Sequence, residues 1–143
     1  MAEVRIQEEI AAPAQAVWDL LGDFAAVGRW FPGASSVSVE GKGVGAVRTI
    51  PMGGSKIRER LEAFDEKARR FEYSIVEAPL PVKNYRATVS VEALGPQRCR
   101  VHWLTRFEAV GMPAEQLAPG LEGAYRSGLA AIARLVASRS AGE

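Results

Sequence analysis

The fold is decided by residues 85–107, YRATVSVEALGPQRCRVHWLTRF, in which apolar and polar side chains alternate on both sides of Gly95-Pro96. A period of two places every second side chain on the same face, and a Gly-Pro pair between two such runs is typical of a turn. The residues predicted to share the buried face are Tyr85, Ala87, Val89, Val91, Val101, Trp103, Thr105 and Phe107. The stretch therefore predicts two neighbouring antiparallel strands with one apolar face.

The same alternation extends toward the N-terminus. Further strands are predicted at residues 4–10, 37–40, 44–50, 56–64 and 71–75. Seven strands joined mostly by short turns predict an antiparallel meander.

Helical segments flank this run of strands. Two short helices are predicted after the first strand, one from Ala12-Pro13 to Gly22-Asp23 and one over residues 24–29, before the break at Trp30-Phe31-Pro32-Gly33. A long helix is predicted from Pro113 to about Arg139, because apolar residues recur there at spacings of three and four. That predicted stripe consists of Leu117, Leu121, Tyr125, Gly128, Leu129, Ile132 and Leu135. Residues 138–143 are expected to form a frayed tail.

The predicted fold class is α+β, with residues 1–143 forming a single domain. A seven-stranded curved antiparallel sheet must cover its apolar face, and the long C-terminal helix is the element available to do so. One helix is too narrow to fill a strongly curved sheet of this size. An enclosed cavity is therefore expected between them, and cavities of this kind bind ligands.

Composition narrows the classes of partner. The formal net charge is +1 and there is no basic run, so we expect no nucleic acid partner. No stretch approaches the length of a membrane span, and the N-terminus lacks the apolar core of a signal peptide, so a cytoplasmic protein without membrane insertion is expected. The single cysteine excludes an internal disulfide. The sequence does not determine whether the chain forms a homodimer.

Three charged residues fall on predicted apolar faces. Glu59 lies in phase with Ile57 and Leu61, Arg48 in phase with Ile50, and Glu8 in phase with its apolar neighbours in the first strand. An ionised group in an apolar cavity is unfavourable by several kcal/mol unless it is paired. We therefore predict that Arg48 pairs with Glu59 inside the cavity, with Glu8 nearby, and that Arg48 can bind a ligand carboxylate or carbonyl. The alternative is that a strand irregularity turns these charges to water.

The inward faces also carry aromatic residues with a polar tip, of which Tyr85 and Tyr125 are the better candidates for orienting a ligand. Gly128, beside Tyr125 on the long helix, is expected to leave room for that ligand. Core packing is the alternative for each aromatic residue, and it is favoured for Trp103. The predicted ligand contacts are Arg48, Ile50, Met52, Ile57, Glu59, Tyr73, Tyr85, Ala87, Trp103, Leu121, Tyr125 and Gly128.

No metal site or cofactor is predicted. His102, the single histidine, has the parity of the outer face, and Cys99 lies near a turn with no ligand partner in the sequence pattern. The glycines of residues 41–45 are predicted to form a hairpin turn, whereas a phosphate loop would need a strand-to-helix junction.

Several motifs resemble the START-like helix-grip superfamily, also called SRPBCC, and within it the polyketide cyclase/dehydrase group. The matching stretches are Ile10–Trp18, Trp30-Phe31-Pro32-Gly33 and Gly43–Arg48. The mid-chain motifs Gly43–Arg48, Glu59-Arg60-Leu61-Glu62 with Asp65, and Asn84-Tyr85-Arg86-Ala87 are similar to those of plant abscisic acid receptors.

The resemblance implies a gate loop at residues 50–55 and a latch-like loop at residues 77–84, and it matches Glu59 and Tyr85 to positions that contact the hormone through water. A plain hairpin turn is the alternative for the gate. The lysine that anchors the hormone carboxylate has no counterpart near Trp30-Phe31-Pro32, and the latch histidine is absent. These departures argue against abscisic acid as the ligand.

Three functions are compatible with these features. The first is binding of a small, mostly apolar molecule, such as a lipid, a polyketide or another aromatic or isoprenoid-like compound. The second is a metal-free cyclase/dehydrase-type enzyme for a polyketide-like substrate, with Glu59 as the candidate catalytic base and with Arg48 and Tyr85 polarising a carbonyl. The third is a regulatory module whose loops close on a ligand.

Overall fold

The computed structural model describes residues 1–31, 33–34 and 36–141 of the chain. The elements in chain order are β1 (Ala2–Ile10), α1 (Ala14–Leu21), a 3-10 helix (Phe24–Arg29), β2 (Ser38–Glu40), β3 (Val47–Met52), β4 (Ser55–Asp65), β5 (Arg70–Glu77), β6 (Val82–Gly95), β7 (Arg98–Ala109) and α2 (Ala114–Ala141). Pro32 of the predicted helix break and Gly142 and Glu143 of the predicted tail lie outside the described residues.

The seven strands form one sheet in the order β1-β7-β6-β5-β4-β3-β2. Strands β2 to β7 follow one another as a meander, β1 pairs with β7, and every pairing is antiparallel. Register shifts interrupt the β4–β5 and β6–β7 ladders, and such irregularities bend strands and increase their twist. The predicted α+β fold, a curved antiparallel sheet with a long C-terminal helix, is confirmed.

The two short helices lie where the sequence predicts them. Val17, Leu20 and Leu21 of α1 are almost completely buried, and this gives the helix its apolar face. The carboxylate of Asp23 accepts a hydrogen bond from the Ala25 backbone N–H at 3.2 Å and so caps the 3-10 helix. This segment brings Phe24 and the following aromatic residues close to the sheet.

Helix α2 packs its apolar side on β1 and β7. Tyr125, Leu129, Ile132 and Val136 are its most buried residues, whereas Leu135 of the predicted stripe is half-buried. The helix continues to Ala141, so the tail predicted from Ser138 is wrong for residues 138–141.

Gly128 does not leave room for a ligand, contrary to the sequence-based expectation. The indole of Trp30 lies against it, and a Cβ atom built on Gly128 would be 2.9 Å from Trp30 Cζ3. Trp30 in turn contacts Trp103 edge-on, with ring centroids 6.3 Å apart. Because Gly128 has no side chain, the indole of Trp30 can pack directly against α2 and fills the space that was expected to hold a ligand.

This contact predicts opposite effects for two glycine substitutions in α2. Gly128→Ala forces Trp30 to shift in a packed core, and we expect it to destabilise the protein by about 1–3 kcal/mol, less the gain in helix propensity. Gly123→Ala meets nothing within 4 Å and is exposed, so we expect it to stabilise by up to about 1 kcal/mol. Chemical denaturation of both variants checks this, and equal effects would show that Trp30 does not depend on Gly128.

Candidate functional site

A cavity of about 420 Å³ lies between α2 and the concave side of the sheet. Its volume falls within the range of sites for small organic ligands. The cavity is lined by Phe31, Met52, Ile57, Glu59, Tyr73, Ile75, Leu80, Tyr85, Gln116, Leu117, Gly120, Leu121, Ala124 and Tyr125. Apolar and aromatic side chains make up most of this wall, with a carboxylate, three phenols and an amide as the polar groups.

The predicted ligand contacts divide into two groups. Those that line the cavity are Met52, Ile57, Glu59, Tyr73, Tyr85, Leu121 and Tyr125. Arg48, Ile50, Ala87, Trp103 and Gly128 are buried but lie outside the lining. Strand parity identifies the inward face of the sheet, but it does not distinguish residues at the cavity wall from residues packed under α1, the 3-10 helix or α2.

Arg48 and Glu59 form the predicted ion pair. They face each other across the β3–β4 ladder, where Arg48 Nε donates a hydrogen bond to Glu59 Oε1 at 2.8 Å and Arg48 Nη2 lies 2.7 Å from the same oxygen. Arg48 Nη1 donates to the Phe24 carbonyl oxygen at 3.1 Å, and the guanidinium lies 4.1 Å from the Phe24 ring centroid. The side chains are only 3% and 8% exposed, so the pair is almost fully desolvated.

The guanidinium is therefore held by protein groups on several sides and lies outside the cavity wall. The hypothesis that Arg48 binds a ligand carboxylate directly does not fit this geometry. The carboxylate is placed differently, because Glu59 lines the cavity and its Oε2 atom has no hydrogen-bond partner among the described residues. The polar end of the cavity thus presents an acceptor, not a cation.

A chain of hydroxyl groups crosses the cavity wall from β7 to β5. Thr105 Oγ1 and the Tyr125 hydroxyl are 2.8 Å apart, Tyr125 is hydrogen-bonded to Tyr85, and the Tyr85 and Tyr73 hydroxyls are 3.5 Å apart. Each of these residues is at most 5% exposed. The sequence predicts inward tyrosines, but their mutual hydrogen bonding depends on the approach of α2 to the sheet.

Burial is the main cause of a raised pKa for all three phenols. It raises the pKa of Tyr73 and of Tyr85 well above the usual value, and the pKa of Tyr125 is raised in the same way. The negative charge of Glu59 adds to the effect at each tyrosine. The hydroxyls therefore remain neutral donors and acceptors at physiological pH.

Glu8 does not lie near the Arg48–Glu59 pair. It forms an ion pair with Arg126 of α2, and its side chain is 35% exposed. β1 is an edge strand that pairs with β7, and α2 packs on both strands. Strands β7, β6 and β5 lie between β1 and β4, so Glu8 is distant from the strands that carry Arg48 and Glu59. The prediction of a nearby third charge is wrong because strand parity carries no information on strand order.

Trp103 packs as a core residue, as the favoured alternative holds. Its ring stacks on Tyr125 with centroids 4.5 Å apart and an interplanar angle of 14°. The indole N–H groups of Trp103 and Trp30 are buried without a hydrogen-bond partner among the described residues. Trp103 therefore fixes the position of Tyr125 from behind the cavity wall.

Half of the residues that line the cavity were not among the predicted ligand contacts. The missed residues are Phe31, Ile75, Leu80, Gln116, Leu117, Gly120 and Ala124. Ile75 shares the parity of Tyr73, and Leu117, Gly120 and Ala124 continue the helical spacing of Leu121, so the periodicity contained a signal for these four. Phe31 and Leu80 lie in irregular segments, where no periodicity applies.

The segment expected to be a gate loop is part of a hairpin. Pro51 and Met52 belong to β3, Met52 pairs with Ser55, and Gly53-Gly54 forms the turn, with Gly53 at φ +62°. The plain hairpin is therefore the better description of this segment. In the predicted latch, the irregular part is residues 78–81, and its Leu80 reaches the cavity.

His102, the single histidine of the sequence, lies away from the cavity. His102 lies on the outer side, where its Nε2 is 2.9 Å from Glu92 Oε1. Within the described ranges, no three His, Cys, Asp or Glu side chains are grouped to hold a metal ion. None of the described helices has the length and hydropathy needed to cross a membrane.

Comparison with known families gives one match over most of the chain. The family model described as polyketide cyclase/dehydrase and lipid transport matches residues 1–137. No curated protein matches the sequence.

Solved structures share the fold. XoxI from Bacillus cereus has a TM-score of 0.89 at 32% identity, over 98% of this chain and 99% of that one. The di-domain ARO/CYC protein BexL of the BE-7585A biosynthetic pathway has a TM-score of 0.79 at 25% identity, over 94% of this chain and 46% of that one. Norcoclaurine synthase from Thalictrum flavum, in complex with dopamine and hydroxybenzaldehyde, has a TM-score of 0.76 at 21% identity, over 96% and 87%. The last likeness is one of fold alone.

Proposed function

Because the chain belongs to the polyketide cyclase/dehydrase and lipid transport family, we propose that it binds one small, mostly apolar molecule in the cavity between α2 and the sheet. The observation that carries this proposal is the cavity itself, about 420 Å³ of space between an apolar helix face and an aromatic sheet face. A concave space lined mostly by apolar and aromatic side chains, with a few polar groups, is typical of sites that bind small molecules.

The walls favour a ligand with an apolar body. Phe31, Ile57, Ile75 and Leu121 provide hydrophobic surface, and the tyrosine rings add flat faces suited to aromatic or isoprenoid-like groups. Each Å² of apolar ligand surface removed from water contributes about 25 cal/mol to binding. The few polar groups then orient the ligand.

A second candidate function is a metal-free cyclase/dehydrase-type enzyme. It is favoured by the position of Glu59, which lines the same cavity as Tyr73, Tyr85 and Tyr125. A carboxylate can accept a proton next to a ligand carbonyl, and a neutral phenol can donate a hydrogen bond to the resulting enolate oxygen. Arg48 would hold Glu59 in position and would not contact the substrate.

The binding proposal is tested by filling the cavity. Ala124→Trp places an indole in the space lined by Ala124, and we expect it to weaken binding of the neutral fluorophore N-phenyl-1-naphthylamine by about 100-fold or more, since about 3 kcal/mol of ring burial is lost. Ser127→Trp on the exposed side of the same helix is the matched control. Fluorescence titration measures both, and equal affinities in the two variants would mean that the probe binds elsewhere.

Turnover distinguishes the enzyme from the carrier. An aromatic polyketide or enol substrate is incubated with the wild-type protein and with Glu59→Gln. An enzyme should lose at least about 100-fold in rate in the variant, the scale of a general base, while still binding the substrate. Binding without turnover in the wild-type protein supports the carrier, and unchanged turnover in the variant would remove Glu59 from the catalytic role.

A further inference from the structure

Only one of the two oxygen atoms of the Glu59 carboxylate contacts a hydrogen-bond donor among the described residues. Oε1 accepts the hydrogen bond from Arg48 Nε and lies 2.7 Å from Arg48 Nη2, whereas Oε2 has no hydrogen-bond partner among the described residues. The Glu59 side chain is only 8% exposed, and it forms part of the cavity wall. A hydrogen bond to a charged acceptor is about twice as strong as one between neutral groups, so a ligand that donates to this oxygen gains more than an ordinary surface hydrogen bond would give.

From this geometry we infer that the cavity selects a neutral ligand carrying a hydroxyl donor, such as a phenol or enol on an aromatic body, which donates to Glu59 Oε2. This inference rests on the proposed binding function and names the class of molecule that the site takes. It also reverses the expectation of a carboxylate ligand held by Arg48.

The charges of Arg48 and Glu59 favour a neutral ligand over a cationic or an anionic one. Arg48 and Glu59 already neutralise each other, so a cationic ligand would lie near the guanidinium as well as the carboxylate and would gain little net attraction. An anionic ligand would be repelled by the Glu59 carboxylate. Arg48 would not compensate for this repulsion, because it donates to Glu59 and to the Phe24 carbonyl oxygen. A neutral hydroxyl keeps the charge balance and supplies the missing donor.

The tyrosine chain is placed to complete the recognition. Among the described residues the Tyr73 hydroxyl has one hydrogen-bond contact, 3.5 Å to the Tyr85 hydroxyl, and Tyr73 lines the cavity. A ligand hydroxyl that donates to Glu59 retains lone pairs, and a neutral phenol such as Tyr73 can donate to them. Both directions of hydrogen bonding are therefore available at this end of the cavity.

Three matched ligands test the inference at neutral pH by isothermal titration calorimetry. These are 2-naphthol, its methyl ether 2-methoxynaphthalene, which lacks the donor, and 2-naphthoate, which is anionic. We expect 2-naphthol to bind at least about tenfold more tightly than the ether, the scale of a hydrogen bond to a charged group. We expect 2-naphthoate to bind more weakly than the ether.

The variant that isolates the acceptor removes both charges together. Arg48→Met with Glu59→Leu keeps the cavity apolar and leaves no unpaired ion, so it should bind the ether as the wild-type protein does and lose the preference for 2-naphthol. Glu62→Gln, whose side chain on the same strand receives a hydrogen bond from Ser74, is the control and should keep the preference.

The outcomes separate this inference from the proposed function. Failure of all three ligands to bind the wild-type protein would overturn the binding function itself. Binding of the ether with no gain for 2-naphthol, equal affinity for 2-naphthoate, or a preference that persists in the double variant would overturn the inference and leave the binding function standing. If the double variant does not fold, the comparison of the three ligands on the wild-type protein still decides.

Discussion

Replacing Arg48 with methionine is expected to lower the free energy of unfolding by about 3–5 kcal/mol, because it leaves the Glu59 carboxylate buried without its partner. The substitution also removes the donor to the Phe24 carbonyl and the stacking of the guanidinium on the Phe24 ring. An uncompensated buried charge accounts for most of the loss, since methionine itself fills an apolar site well.

The double substitution Arg48→Met with Glu59→Leu should recover most of that loss. A buried ion pair gains little net stability over well-packed apolar residues of similar volume, because desolvation offsets the attraction of the charges. The double variant should therefore lie within about 1–2 kcal/mol of the wild-type protein. The pair would then be retained for its place at the cavity, not for stability.

Urea denaturation of the single and double variants measures both effects. Arg60→Met is a suitable control, because Arg60 is 46% exposed and lies 3.9 Å from Glu62, and surface pairs of this kind contribute at most about 1 kcal/mol. A loss below about 1 kcal/mol for Arg48→Met would contradict the buried pair. A double variant as unstable as the single one would show that the arginine acts through Phe24 alone.

Alkaline pH is expected to unfold the protein cooperatively, because all three tyrosines of the sequence lie in the buried hydroxyl chain. An unfolded tyrosine ionises near pH 10, whereas burial raises the pKa of each of these phenols in the folded protein. Below about pH 10 the phenols keep their protons in both states, so the tyrosines do not change the stability there. Above it the unfolded state loses protons that the folded state retains, so stability falls as pH rises.

The slope follows from the number of protons involved. Each tyrosine contributes about 1.4 kcal/mol per pH unit, and the three together about 4 kcal/mol per pH unit. Burial also raises the pKa of the Cys99 thiol, which adds to the fall from about pH 8.5. Tyrosinate absorbance and circular dichroism, followed together through the alkaline range, check this prediction. Tyr73→Phe should remove about one third of the tyrosine slope.

The two signals should change at the same pH. A tyrosine that ionises near pH 10 while the circular dichroism of the folded protein persists would contradict the burial of that phenol. Three sequential ionisations in the folded state would contradict the hydroxyl chain as a whole.

Much of the fold could be predicted because its elements are long and strongly patterned. The alternation through Tyr85–Val91 and Val101–Phe107 and the helical spacing after Pro113 each extend over many residues, so local irregularities do not change their interpretation. The helix-grip resemblance is confirmed by the family match over residues 1–137 and by the structural neighbours. The Arg48–Glu59 pair was also within reach, because one short connection joins β3 and β4 and fixes their register.

The parts of the site that could not be predicted depend on tertiary placement. Gly128 is small in the sequence, but only the structure shows that Trp30 fills the space beside it. Glu8 has inward parity, but the order of strands places it next to Arg126. The free oxygen of Glu59 depends on the orientation of one carboxylate toward one guanidinium, and no sequence pattern encodes it.

A crystal structure of the wild-type protein with 2-naphthol tests the central claim most directly. We predict one molecule in the cavity, with its rings between the sheet tyrosines and Leu121 and its hydroxyl oxygen within hydrogen-bond distance of Glu59 Oε2. Density for the ligand on the outer face of the sheet, or a cavity closed by side chains at saturating ligand, would contradict the claim that this space is a binding site.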